Sequence, residues 1–133
     1  MDERKALIEI AGEKAVVRLL WDEAPQICKA LWESMPLEST VHHAKLCNHE
    51  FMAQLELEAP AENFAEVRVG DLGWWARMQT LNLWYDTPGP NGPLGPTCRF
   101  GVVETNLEGL GRAGKKVWEQ SGQRIRLSRA KEA

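Results

Sequence analysis

The stretch Leu107-Glu108-Gly109-Leu110-Gly111-Arg112-Ala113-Gly114-Lys115-Lys116-Val117-Trp118-Glu119-Gln120, closed by Ser121-Gly122 and followed by Gln123-Arg124-Ile125-Arg126-Leu127, decides the fold. It reads as a helix that stops at glycine and runs directly into an alternating strand near the end of the chain. A second helix reads from Pro25 to about Met35. Asp22 and Glu23 stand just ahead of it, Pro25 suits its first turn and Pro36 stops it. Ile27, Cys28, Leu31, Trp32 and Met35 recur at helical spacing and make one apolar stripe. Two helices in a strand-rich frame, one after the opening strands and one before the last, predict a mainly β protein. The expected form is a small closed barrel of about eight strands with two capping helices.

The strands are read from β-type runs between turn signals. Lys5 to Ile10 and Ala15 to Trp21 form a hairpin around Ala11-Gly12-Glu13-Lys14 that opens into the first helix. Ser39 to Lys45 and Glu50 to Leu57 are two more strands with a turn at Cys47-Asn48-His49. Val67 to Trp75, Met78 to Tyr85 and Cys98 to Glu104 follow. In the second of these, Leu81, Leu83 and Tyr85 alternate against Thr80, Asn82 and Trp84, so the two sets face opposite ways. Pro88-Gly89-Pro90-Asn91-Gly92-Pro93-Leu94-Gly95-Pro96 is too rich in Pro and Gly for a helix or a central strand, and reads as a surface loop within the one domain spanning residues 1–133.

The chain has 133 residues, 44% apolar and 26% charged, with a net charge of -3, the balance of a globular protein large enough to bury a core. No run approaches the length of a membrane span and the start carries no apolar leader, so the expectation is a cytoplasmic protein that engages no membrane. Cys28, Cys47 and Cys98 are widely spaced and odd in number, which fits reduced thiols better than a disulfide framework or a metal knuckle. Seven basic residues fall between Arg112 and Lys131. Without stacking aromatics among them they read as helix-end and strand-face charges, so no nucleic-acid partner is expected. Gly109-x-Gly111-x-x-Gly114 matches a dinucleotide fingerprint, but one strand after it leaves no room for the βαβ unit the fingerprint needs. No cofactor and no metal is expected.

Several pieces carry a family resemblance: Asp22-Glu23-Ala24-Pro25 with Cys28 and Trp32; His43-Ala44-Lys45 with Glu50; Glu62-Asn63; Gly70-Asp71; Gly92-Pro93-Leu94-Gly95-Pro96; and Val117-Trp118. In this order they resemble the bacterial cyclophilin-like proteins classed as domain of unknown function 3830. Arg99 to Glu104 followed by Leu107 to Leu110 is similar to the strand-into-helix passage of the cyclophilin-like barrels. The chain departs from that family at Asn48-His49, where a glycine before the Glu is usual, and at Val69, where proline is usual. The resemblance implies a barrel and no established activity. Phe51-Met52-Ala53-Gln54 matches an element of the prolyl-isomerase cyclophilins, yet the position of their substrate-binding arginine is Leu46, so peptidyl-prolyl isomerase activity is kept only as a minor alternative.

The polar residues that could carry chemistry cluster in the same stretches. His43 and Glu50 would face each other if their strands pair around Cys47-Asn48, with His43 as acid/base and Glu50 orienting it or binding ligand. Lys45 would pair with a carboxylate, and His49, Glu62 and Asn63, with Trp84 and Arg99, would complete a site for a small polar or acidic metabolite on the barrel face. His42, next to His43, must point the other way. The alternative is a partner-binding module without catalysis. Six tryptophans are many for one small barrel, and a homodimer or higher homo-oligomer is expected through Trp84 with one of Trp74 and Trp75.

Overall fold

The computed structural model describes residues 3–45, 48–88 and 97–131. Strands β1 (Lys5–Ile10) and β2 (Glu13–Leu19) form the opening hairpin, followed by helix α1 (Pro25–Ser34), β3 (Leu37–His43), β4 (Asn48–Gln54) and the two-residue β5 (Phe64–Ala65). Strands β6 (Asp71–Trp75), β7 (Thr80–Pro88) and β8 (Thr97–Val103) precede helix α2 (Leu107–Glu119) and β9 (Gln123–Arg129). All pairings are antiparallel, in the order β2-β1-β9-β3-β4-β7-β6-β8 with β8 returning to β2, so eight strands close a barrel and β5 adds to β8. Closure removes the open sheet edges that would otherwise invite pairing with other chains. No helix among the described residues is long and apolar enough to cross a membrane.

Alternation fills the barrel. Ile8, Val17, Phe51, Leu72, Trp74, Leu81, Leu83, Phe100, Ile125 and Leu127 are all buried in one core cluster, joined by Ile27, Cys28 and Leu31 of α1 and Leu110, Ala113 and Val117 of α2. Cys28 and Cys98 are buried thiols, and Cys28 Sγ donates to Phe100 O at 3.6 Å. The β1–β2 hairpin is tighter than the sequence suggests. Ile10 pairs with Glu13 across Ala11-Gly12, both at positive φ, the two-residue turn whose twist suits a hairpin.

Two strands end differently from their apolar patterns. The run from Val67 becomes a strand only at Asp71, because Gly70 takes a positive φ and the Asp71 carboxylate accepts the Arg68 N–H at 2.7 Å, closing a local turn. β4 stops at Gln54 although Leu55 and Leu57 continue the alternation; both are buried, and Leu55 N–H donates to Gln79 O, outside any ladder. The Pro/Gly loop at 88–96 falls outside the described residues from Gly89 onward, as does Cys47 of the expected turn, whereas Asn48 and His49 belong to β4.

The helix ends are held from a distance. No residue beside α1 caps it; instead Glu62 Oε1 accepts the Ile27 N–H at 2.7 Å from a loop 35 residues on. Asn106 caps α2 with Oδ1 on Gly109 N–H while its Nδ2 donates to Lys14 O at 2.8 Å, fixing the helix to the hairpin.

Candidate functional site

On β7 the core side carries Leu81, Leu83 and Tyr85, so Thr80, Asn82 and Trp84 occupy the outer face of the barrel. Register extends that face across four strands. Glu50 of β4 stands opposite Trp84, and Gly73 of β6 stands between Asn82 of β7 and Arg99 of β8. Glu50, Asp71, Thr80 and Asn82 are the buried polar or charged residues among those described, and all four belong to this outer-face patch. Polar side chains are therefore withdrawn from water on one side of one sheet.

Their hydrogen bonding is incomplete. Asn82 Nδ2 donates to Glu50 Oε2 in a close contact, but Asn82 Oδ1 has no partner. Arg99 Nε lies 2.9 Å from Asp71 Oδ2, yet its N–H is not aligned with that oxygen and makes no hydrogen bond. An acceptor and a cationic donor thus flank Gly73. A Cβ on Gly73 would come within 2.7 Å of Thr97 Cγ2 and 3.3 Å of Trp84 Cζ3, so glycine is what lets the Trp84 ring lie across the strand. Leaving a buried polar atom unpaired costs about 1–3 kcal/mol, so each such position calls for a partner that the chain itself does not supply.

Glu50 does not meet His43. β3 pairs with β4 so that His43 stands opposite Phe51, one residue from Glu50, and a one-residue offset puts the two side chains on opposite faces. His43 instead turns inward at the rim of the barrel. Its Nε2 lies 2.6 Å from Tyr85 Oη, and its ring meets Trp118 edge-on with centroids 4.3 Å apart. Burial, then the charges of Lys45 and His49, push the His43 pKa down to about 4; burial and the Asp86 charge push the Tyr85 phenol up to about 12. His43 is therefore neutral at neutral pH, the form in which an imidazole can accept a proton.

The other expected residues divide between the two faces. His49 joins the inner-rim group, 5.6 Å from the Tyr85 ring, and Lys45 Nζ lies 5.6 Å from the Trp118 centroid. His42 points outward and contacts Ser121 Oγ at 2.9 Å. Glu62 caps α1, and Asn63 clamps β8 through Nδ2 to Arg99 O at 2.7 Å, with Arg99 N–H returning to Asn63 O at 3.1 Å. Asn63 thereby positions Arg99. Phe51 of the isomerase-like element is wholly buried, stacked on Tyr85. Among the described residues no three His, Cys, Asp or Glu side chains converge as metal ligands. Gly109, Gly111 and Gly114 all lie inside α2, not at a strand-to-helix phosphate turn.

Asp71, Gly73 and Asn82 were not singled out as site residues by the sequence. The available signal was Asn82 itself, a carboxamide in Leu81-Asn82-Leu83 that shares a face with Trp84.

The family model for proteins of unknown function termed DUF3830 matches residues 7–129. No curated protein matches the chain by sequence. Among solved structures, the chain is similar to McbB in complex with tryptophan, at 20% identity and a TM-score of 0.79 over 96% of this chain and 45% of that one. It is also similar to the hypothetical protein AF2241 from Archaeoglobus fulgidus, at 19% identity and a TM-score of 0.68 over 96% of this chain and 95% of that one. The chain thus spans less than half the length of McbB, and at these identities both likenesses are of fold. With the model covering nearly the whole chain, this protein belongs to the DUF3830 family.

Proposed function

We propose that this protein binds a small zwitterionic metabolite of amino-acid type on the outer face of the barrel, across Gly73. The observation that carries the reading is the pair of unsatisfied groups in the buried polar patch, Asn82 Oδ1 and Arg99 Nε. A ligand ammonium or amide would donate to Asn82 Oδ1 and the Glu50 carboxylate, and a ligand carboxylate would accept from Arg99, with Trp84 covering the carbon skeleton. Recovering two lost hydrogen bonds in a water-poor site gives such a ligand its affinity. McbB, which shares the fold, has been captured with tryptophan, a molecule bearing those same two groups.

The second reading is a homodimer or higher homo-oligomer joined through Trp84 with one of Trp74 and Trp75. Trp74 and Trp84 are buried within a single chain, 1% and 5% exposed, so Trp84 needs no partner to cover it. We place the protein in the cytoplasm and in the cyclophilin-like superfamily on its sequence pattern.

A thermal-shift panel of amino acids, keto acids and amines tests the proposal. At least one amino acid should raise the Tm of the wild type, and Glu50→Gln and Arg99→Gln should each lose the response while remaining folded. No stabilisation by any zwitterion, or an unchanged response in both variants, would overturn it.

A further inference from the structure

We propose that Asn63 is a positioning residue of the outer-face site, holding a β-bulge in β8 that turns Arg99 out of the core. The inference rests on the reading of Arg99 as the partner of a ligand carboxylate.

Register shows what the bulge does. β8 opposes β6 first as Gly101 to Leu72 and then as Arg99 to Gly73, so β8 carries one residue more than its partner. Continued from Leu72 and Gly101 without that shift, the ladder would set Phe100 against Gly73 and Arg99 against Trp74. Leu72 and Trp74 belong to the core, so this register would turn Arg99 inward and Phe100 outward. With the extra residue, Phe100 is buried in the core and Arg99 stands opposite Gly73, on the face that carries Asn82. Gly101 lets the bulged strand lie against β2, since a Cβ there would come within 2.9 Å of Val17 Cγ1. Among the described ladders register shifts in one other place, between Asn48 and Glu50, beside the other charged residue assigned to the ligand. Bulges are over-represented at barrel rims and beside active sites, where they re-aim a side chain.

A bulge interrupts its ladder, so the freed backbone groups need other partners. β5 pairs with β8 only through Phe64 to Cys98 and Ala65 to Thr97. Asn63, one residue earlier, extends the grip to Arg99: its O accepts the Arg99 N–H at 3.1 Å and its Nδ2 donates to Arg99 O at 2.7 Å. Two strands would exchange such a pair of bonds through their backbones; here the carboxamide supplies the second donor, from a residue at φ 54°. Leu20 N–H takes the Phe100 carbonyl at 2.8 Å, and Glu62 ties the Asn63 loop to α1 through the Ile27 N–H. Both backbone polar groups of Arg99 are thus held by Asn63, and the guanidinium reaches the site from a fixed base.

Nitrogen–proton spectra and calorimetric titration test the role together. Arg99 Nε is buried, so its proton should exchange slowly with water in the wild type. Asn63→Asp, of the same shape without the donor, and Asn63→Gly, which keeps the positive φ, should each speed that exchange at least tenfold in the folded chain. Both variants should weaken binding of L-phenylalanine, whose ring Trp84 can cover, at least tenfold and leave 2-phenylethylamine, which lacks the carboxylate, unchanged. A role in folding alone would weaken both ligands alike. Arg99→Gln should show the same split, and adding Asn63→Gly to it should cost nothing further, because the two act through one contact. Slow exchange kept in both Asn63 variants, equal losses for the amino acid and the amine, or losses that add to those of Arg99→Gln would overturn this inference and leave the reading of the site standing. Full binding of L-phenylalanine by Arg99→Gln would overturn the reading of the site and this inference with it.

Discussion

Replacing Gly111 and Gly114 by alanine, one at a time, should move stability in opposite directions although the two lie within one turn of the same helix. Each substitution gains about 1 kcal/mol of helix propensity. At Gly111 nothing opposes the gain, since the new methyl meets no atom within 4 Å. At Gly114 the methyl overlaps the Tyr85 ring, which is 6% exposed, stacked on Phe51 and within 2.6 Å of His43, so it has no space to retreat into. Overpacking of this kind costs about 1–3 kcal/mol, and losing the His43–Tyr85 hydrogen bond adds about 1 kcal/mol. Gly111→Ala should therefore stabilise by about 1 kcal/mol and Gly114→Ala destabilise by about 1–3 kcal/mol. Urea unfolding at constant m-value reads both. Stabilisation by both variants would refute the claim that Gly114 exists to seat α2 on Tyr85.

Other perturbations follow from single contacts. Ala11 holds φ 50° in the β1–β2 turn, and Ala11→Asn, better suited to that region, should add about 0.5–1 kcal/mol by thermal unfolding. Glu62→Ala removes the acceptor at the start of α1 and should cost about 1 kcal/mol, detected in the same assay. His43 titrates at about 4 when folded against 6.5 when unfolded, so the unfolded chain takes up this proton first as pH falls. Its contribution is complete above about pH 6.5 and is lost on acidification toward pH 4; His43→Phe should flatten the stability profile in that window, and an unchanged slope would contradict the assignment.

The barrel was legible because its evidence is periodic. Alternation in β7 correctly split Leu81, Leu83 and Tyr85 from Asn82 and Trp84, and Pro25, Pro36 and Ser121-Gly122 marked the helices to within a residue or two. The site was less legible because it depends on register between strands. His43 and Glu50 come from adjoining strands, but pairing His43 with Phe51 separates their side chains across the sheet, a distinction of one residue that no local pattern encodes. Glu62 and Asn63 stood out as polar residues in a loop, and the contacts that give them structural work, to Ile27 and Arg99, span 35 and 36 residues.

The central claim is that Asn82 and Arg99 leave hydrogen bonds open for a ligand. A nitrogen–proton correlation spectrum that resolves the Asn82 side-chain amide and the Arg99 Nε–H, recorded while an amino acid that raises the Tm is titrated in, tests it most directly. The account predicts that both resonances shift together and saturate at a common affinity, and that Glu50→Gln abolishes the shifts. Saturable binding that leaves both resonances in place would contradict it.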